Sequence, residues 1–570
     1  MREIVTVQVG SFANFIGSHF WNFQDELLGL ASEPSNDPLF KNNSLNMDML
    51  YRTGENHEGI LTYTPRLVSV DYQGSLGSLS SRGYNQAPAV SSTVATWRGT
   101  VSTHRTEPHK KNLFLQSLDE EQHVQMDIDN VGRTESQDAI PDEDIVNSLE
   151  NSVQFWSDYS KTQFHSRSLY ELSGLWMDSQ YFDNYGIGKD VFSEGSRGEE
   201  MSERVRFFVE ESDYIQGIQF IVDDSGGFSS VAADLLEHIA DEYENTPVLL
   251  YAARSPGSYQ GSKSANRSLM RDLHDAVSFS RLSPFCKLVV PVGLPSLATS
   301  RASNYLFVDD QKPYHSSAVY AAALHSLSLP FLMQPLGPTT NASYVCGAID
   351  MTGVVQMLTS EPRQNMVALL DAAMPAPSLA GDLAEQPLLR NLQPLTPEIV
   401  DGVGDSQSVE WLTIHGCFNS GNGRASVTEV QDAISAAYRY AESGPRFCHL
   451  SAAVCPLPIP LPFPKIFNSL VGKNGQLVGS LASDMPPKGP LDVNSIPMSA
   501  RLRSSSAIFP FLSTRLQNLR RLGIQNGAAG SQMLRSWGFE KDELEDMGES
   551  LSKMVKAVDP GLCASSDDSD

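Results

Sequence analysis

The chain has 570 residues, 41% hydrophobic and 19% charged, enough to bury a large core and to predict two or three domains. A net charge of −27 excludes nucleic acid as a partner for the chain as a whole. No run of about 18 uninterrupted apolar residues occurs, so no spanning helix is expected.

The opening residues, Met1 to Val9, read as a strand carrying Glu3, not as a secretory leader or an Arg-rich targeting peptide. Ile4, Val5, Val7 and Val9 form that strand, Gly10 to Asn14 a turn, and Phe15, Ile16, Phe20, Trp21 and Phe23 the apolar face of a helix. A buried strand leading into a helix points to a doubly wound α/β domain. Leu67 to Tyr72 is a second strand with Asp71 near its carboxyl end, where open α/β sheets bind ligands. Asp71 is therefore a candidate for metal or ribose contact, although an aspartate there also serves simply to cap a turn.

From Gln73 to Asp144 the pattern is lost. Glycines and serines come first, then an acidic run from Asp119 to Asp144, so part of 73–144 is read as a solvated or disordered insertion. Val153, Phe155, Trp156, Tyr159, Tyr170 and Leu172 follow as an aromatic-rich core segment, and Glu200 to Val209 as a helix.

The central stretch is Gly217 to Tyr243. Ile218, Phe220, Ile221 and Val222 make a strand, Ser225-Gly226-Gly227 a tight turn, and Val231, Leu235, Leu236 and Ile239 one face of a helix that Ser229 or Ser230 can cap. Backbone N–H groups converging at such a helix start can hold phosphate, and the same pattern also serves plain α/β architecture. Strands are predicted at 247–252 and 288–292 and a long apolar helix at Ala318 to Leu327.

Pro375 to Pro397 reads as a connector. Beyond it come a strand, Trp411 to His415, and a helix, Val427 to Tyr440. The alternating prolines of 456–464 suit an extended edge or a polyproline segment. From Arg501 to Arg535 there are six arginines and no acid; Leu512, Leu516 and Leu519 share a helical face, which makes Arg515, Arg520 and Arg521 candidates for a membrane or partner patch. The last helix is Asp542 to Val558, and Ser565 to Asp570 forms an acidic tail. The six cysteines are scattered without a CxxC pair, which fits free thiols and no zinc site.

Met1-Arg2-Glu3-Ile4-Val5 with Gln8, Gly10, Asn14, Ile16-Gly17 and Phe20-Trp21 resembles the start of tubulin. Gln216-Gly217 through the glycine turn to Leu235-Leu236-Glu237 and Asp241 to Tyr243 resembles its phosphate-loop region. Pro65-Arg66 with Val70-Asp71, Ser504 to Ile508, and Asp542 to Glu545 are similar to further tubulin segments. The long insertion, the altered loop and the length together resemble the Misato family of tubulin-like proteins. That resemblance implies a tubulin-like fold, a doubly wound nucleotide-binding-type domain followed by an α+β domain. It divides the chain into 1–374, a connector at 375–408, and 409–570.

It also implies a role in mitochondrial distribution, morphology and fusion, in the cytoplasm and peripherally at the mitochondrial outer membrane, with protein partners it does not identify. The departures bear on chemistry. Tubulin's first turn, Gly-Gln-Cys-Gly-Asn, is here Gly10-Ser11-Phe12-Ala13-Asn14; its loop GGGTGSG keeps only Gly226 and Gly227, followed by Phe228. Pro313-Tyr314-His315-Ser316-Ser317 stands where a guanine-reading asparagine is expected, and no Asn-x-Asp hydrolysis loop follows. The expectation is a non-enzymatic protein with no cofactor. The alternative is a GTP-binding protein with slow or no hydrolysis, in which Gly10, Asn14, Gly226 and Gly227 contact phosphate or base and Asp71 acts through magnesium.

Overall fold

A computed structural model describes residues 2–32, 38–40, 45–55, 61–79, 110–128, 140–176, 182–260, 265–334, 344–360, 365–379, 387–399, 405–421, 423–440, 444–478 and 485–560. Strands β1 (Glu3–Val9), a hairpin of β2 (Tyr51–Glu55) and β3 (Leu61–Pro65), β4 (Leu67–Gln73), β5 (Leu169–Trp176), β6 (Ile215–Asp223), β7 (Val248–Ala253) and β8 (Leu288–Val292) belong to the first half. All but the hairpin form one parallel sheet in the order β5-β4-β1-β6-β7-β8. Burial on both faces is why β7 and β8 read as unbroken apolar runs. The chain builds outward from β1 in both directions, so the order reverses there. Register pairs Val9 with both Val70 and Val222, which sets Gly10, Asp71 and Asp223 at one level along the carboxyl edge. That edge is where such sheets bind ligands.

The second half holds β9 (Tyr344–Cys346), β10 (Leu369–Ala373), β11 (Gln393–Pro394), β12 (Val409–His415), β13 (Phe447–Ala453), β14 (Leu457–Pro458), β15 (Ser495–Ile496) and β16 (Met498–Ser504). Six of these form a mixed sheet, β11-β10-β16-β12-β13-β9, and β14 pairs with β15. Between the sheets runs the helix Pro313–Leu332, buried from Tyr314 to Leu332, so its apolar residues fall on every side instead of along one face. Phe12 meets its Tyr320 edge-on at 6.1 Å, and Phe331 packs on Trp411 at 5.4 Å, so one helix ties both halves together. The molecule is thus a doubly wound α/β domain plus an α+β domain.

Several expectations change. The second sheet draws β9 and β10 from before residue 375, so the division falls earlier than that residue. The supposed connector contributes β11 and the short helix Pro387–Arg390, with Leu388, Leu392 and Leu395 buried. Within 73–144, the helix Leu113–Ile128 is ordered, with Phe114 and Leu115 buried, and Asp142 opens the helix Asp142–Ser152; the rest of the acidic stretch, and the tail Ser565 to Asp570, lie outside the described residues. The prolines of 456–464 sit on the core edge, Leu457 and Phe463 being buried. Arg501 and Arg503 lie on β16 and pair inward with Asp371 and Glu410.

Candidate functional site

Both βα turns at the switch point present helix starts whose free N–H groups suit an anion. At the first, Gly10 has φ 112°, and a Cβ there would lie 2.4 Å from the Asp223 carboxyl carbon. That carboxylate accepts from Phe12 N at 3.1 Å and Ala13 N at 2.7 Å. Asp223, at the end of β6, therefore caps the helix Ser11–Ser32 as a bound anion would. Burial pushes its pKa up to about 8 against the lowering effect of the two N–H donors.

Asp71 is buried and fully engaged. Its oxygens accept from Ser11 Oγ at 2.7 Å, Tyr72 N at 2.8 Å, Asn14 Nδ2 at 3.1 Å and Trp156 Nε1 at 3.0 Å. Burial raises its pKa to about 6, opposed by these four donors. Asn14 also donates to Val70 O and accepts from Ser69 Oγ, so its amide is spent inside the fold.

Trp156 begins a turn, Trp156–Tyr159, that the sequence marked only as aromatic core. Its backbone and side chains bond helix Ser11–Ser32 repeatedly: Ser18 Oγ donates to Trp156 O, Asn22 Nδ2 to Tyr159 O, and the Tyr159 hydroxyl to Phe15 O, each at 2.8 Å. Tyr159 also packs against His19 at 4.5 Å and Tyr314 at 4.8 Å, between that helix and the start of Pro313–Leu332.

At the second turn, Gly226 has φ 70° and ends β6's loop; the helix Gly227–Glu242 starts at once, two residues before the serines expected to cap it. Ser229 Oγ instead donates back to Gly226 O at 2.8 Å. Gly227 N donates to Phe182 O at 3.1 Å, and a Cβ on Gly227 would lie 2.5 Å from the Phe182 ring. Phe182, Phe228 and Tyr72 form an edge-to-face cluster, with centroids 4.6 to 5.6 Å apart. Beside it Asp224 pairs with the buried Arg254 at 2.6 Å, which also holds Asp275 at 2.8 Å.

The structure thus gathers Gly10, Asn14 and Asp71 at one turn and Gly226 and Gly227 at the next, with Asp223 between them. Sequence reasoning missed Trp156, Tyr159 and Phe182. Arg515 does not join Arg520 and Arg521 on one surface: it is 3% exposed, stacked on Phe511 at 3.3 Å and paired with Glu398, whereas the other two are exposed. Among the described residues no group of three or more His, Cys, Asp or Glu is arranged to hold a metal.

A guanine nucleotide does not fit these residues. Phosphate would have to displace the Asp223 carboxyl group from the same N–H groups, and the Trp156 indole takes an Asp71 oxygen that magnesium would require.

Titration of the site has a defined sign. The unfolded chain releases the Asp223 proton near 3.8, whereas the fold holds it to about 8. From pH 6.5 to 8 the unfolded state then binds fewer protons, so stability falls as pH rises. Below 6.5 the buried imidazoles of His19, His274 and His415, held near 3, 4 and 4 by desolvation, stay neutral in the fold and take protons on unfolding. They make stability fall in the acid direction. The thermal midpoint should therefore peak near pH 6.5, and Asp223→Asn should flatten the alkaline limb while leaving the acid limb in place.

The two-sheet architecture, the connecting helix and the doubled turn define a tubulin-like protein. A family model described as Misato Segment II tubulin-like domain matches residues 2–120, and one described as Tubulin domain matches residues 146–333. Protein misato homolog 1 of Mus musculus is 30% identical over 589 residues, covering 98% of each chain. The Homo sapiens protein of that name is 28% identical over 594 residues, again 98% of each. Protein DML1 of Gibberella zeae is 28% identical over 383 residues, 66% of this chain and 68% of its own. The chain belongs to the Misato family.

Proposed function

We propose that this chain is a tubulin-like protein that works through protein or membrane contacts, without nucleotide and without catalysis, in mitochondrial distribution, morphology and fusion. Its place of action is the cytoplasm and the mitochondrial outer membrane. The mitochondrial part follows the family resemblance. The nucleotide part is supported by one observation: the groups a nucleotide would bind are bonded to the protein's own side chains, Asp223 on the first helix start, Trp156 on Asp71 and Phe182 over Gly227. No helix among the described residues is long and apolar enough to cross a membrane, which accords with peripheral contact.

Nucleotide extraction from the purified native protein, with equilibrium binding of labelled GTP in magnesium, tests this. The expected result is no stoichiometric guanine nucleotide and no saturable binding at micromolar GTP. Stoichiometric GTP or GDP would establish the opposite reading, a GTP-binding protein.

A further inference from the structure

A groove of about 730 Å³ opens where helix Tyr185–Ser193, the start of helix Arg197–Glu210, the later turns of helix Gly227–Glu242 and residues 535–538 meet. That volume lies within the range of ligand clefts, about 300–1,000 Å³. Phe192 and Trp537, 7% and 4% exposed, form its apolar floor. Trp537 is seated tightly: a Cβ on Gly186 would lie 2.9 Å from its Cα. Its indole N–H nonetheless has no acceptor among the described residues, and it is not sealed in the core as the Trp21 N–H is. An indole N–H can only donate, and a buried tryptophan normally finds it a partner. The Trp156 N–H has Asp71; that of Trp537 is left for an acceptor in the groove.

The walls are acidic. Five carboxylates, Asp190, Glu199, Asp234, Glu237 and Asp241, stand against three cations, Lys189, Arg281 and Arg535. Arg281 is held between Asp234 at 3.5 Å and Glu237 at 3.1 Å. Lys189 lies over the Phe539 ring at 5.3 Å and donates to Gly538 O at 3.5 Å. The neighbouring Arg197 and Arg206 are taken as well, by Glu194 and by Glu203 with Glu242. Asp190, Glu199 and Asp241 remain, all exposed and in no ion pair among the described residues. Arg535 is exposed too, and its guanidinium, like the Trp537 N–H, is a donor. The groove therefore offers donors to carbonyl oxygens and carboxylates to cations, the complement of a peptide backbone that carries Lys or Arg side chains. Phosphate, nucleic acid and anionic lipid are repelled by the same carboxylates.

From this we infer that the groove docks a basic, extended segment of a protein partner, whose carbonyl oxygens take the Trp537 N–H and the Arg535 guanidinium and whose cations meet Asp190, Glu199 and Asp241. The inference rests on the contact reading above and gives that contact a surface and a partner chemistry. Fluorescence anisotropy of the labelled peptide Lys-Ala-Lys-Ala-Lys, titrated with the full chain, tests it, and Glu-Ala-Glu-Ala-Glu is the matched probe of opposite charge. The lysine peptide should bind saturably and more weakly as salt is raised, and the glutamate peptide should not bind. Glu199→Lys with Asp241→Lys should cut the affinity by about tenfold or more. Trp537→Phe, which keeps an aromatic ring and removes the N–H, should cut it by about fivefold. Asp432→Lys with Glu549→Lys, an equal change of charge at exposed positions outside the groove, should bind like wild type. Far-UV circular dichroism at the assay temperature establishes that each variant is folded.

Three results would overturn the proposal: no saturable binding of the lysine peptide, an equal loss in the variant changed outside the groove, or undiminished binding by both folded groove variants. Each would leave the contact reading itself standing on another surface. Nucleotide content is read independently, so its outcome does not confuse this one.

Discussion

Replacing Asp371 with Ala is expected to destabilise the protein by about 3–5 kcal/mol, because it leaves two guanidinium groups in the second sheet without their shared partner. Asp371 is 1% exposed and receives Arg501 Nε at 2.9 Å and Arg503 Nε at 2.7 Å from the neighbouring strand β16. Burial acts to raise its pKa, but the two arginines outweigh it and hold the carboxyl below its ordinary range. Glu410 on β12 supplies the other side, accepting from Arg501 Nη1 at 3.1 Å. Removing Glu410 alone should cost less, since Arg501 keeps Asp371. The urea midpoint of each variant checks the order. Changing Asp371, Arg501 and Arg503 to leucine or methionine together with Glu410→Gln should recover much of the loss, because apolar groups of similar volume need no partner and no buried charge is left behind.

This network also shows what the sequence could not reveal. The arginines of 501–535 stand out because no acid lies among them. Yet Arg501 and Arg503 are neutralised by residues 91 to 132 positions away in sequence, and Arg515 by Glu398, 117 positions away. Local charge counting sees a basic surface where the sheet makes buried pairs. The elements themselves were legible where burial imposes a period. Val427–Tyr440 has the bounds read from its apolar spacing, and Leu288–Val292 is the strand its apolar run predicts. Sheet membership is different, since β9 and β10 join the second sheet through pairings no local pattern records.

At the candidate site the departures from tubulin were readable as missing glycines and as Phe228 following the two that remain. Their replacement was not. Asp223 lies 210 residues from the N–H it caps most closely, Trp156 lies 85 from Asp71, and Phe182 reaches Gly227 only because helix Tyr185–Ser193 packs on helix Gly227–Glu242. The reading of erosion and the observed geometry agree that Gly226 and Gly227 persist, but for different reasons. A phosphate loop keeps glycine so that backbone can approach a ligand. Here the approaching group is a phenyl ring.

The distinction is measurable in a double-mutant cycle. Gly227→Ala places a Cβ 2.5 Å from the Phe182 ring, with the three nearest atoms all on that ring, so it should cost about 1–3 kcal/mol by overpacking. Phe182 is 5% exposed and packs on Phe228 at 4.9 Å, so Phe182→Ala alone should cost about 3–5 kcal/mol through the cavity it leaves. If the glycine exists to admit the ring, the methyl added by Gly227→Ala enters that cavity in the double variant. The two costs then fall short of their sum by about 1–2 kcal/mol, a coupling expected only of residues in contact. Additive costs would mean that Gly227 is required for something other than Phe182. The same variants should show no gain in GTP binding, because Asp223 still holds Phe12 N and Ala13 N at the neighbouring turn and Trp156 still holds Asp71.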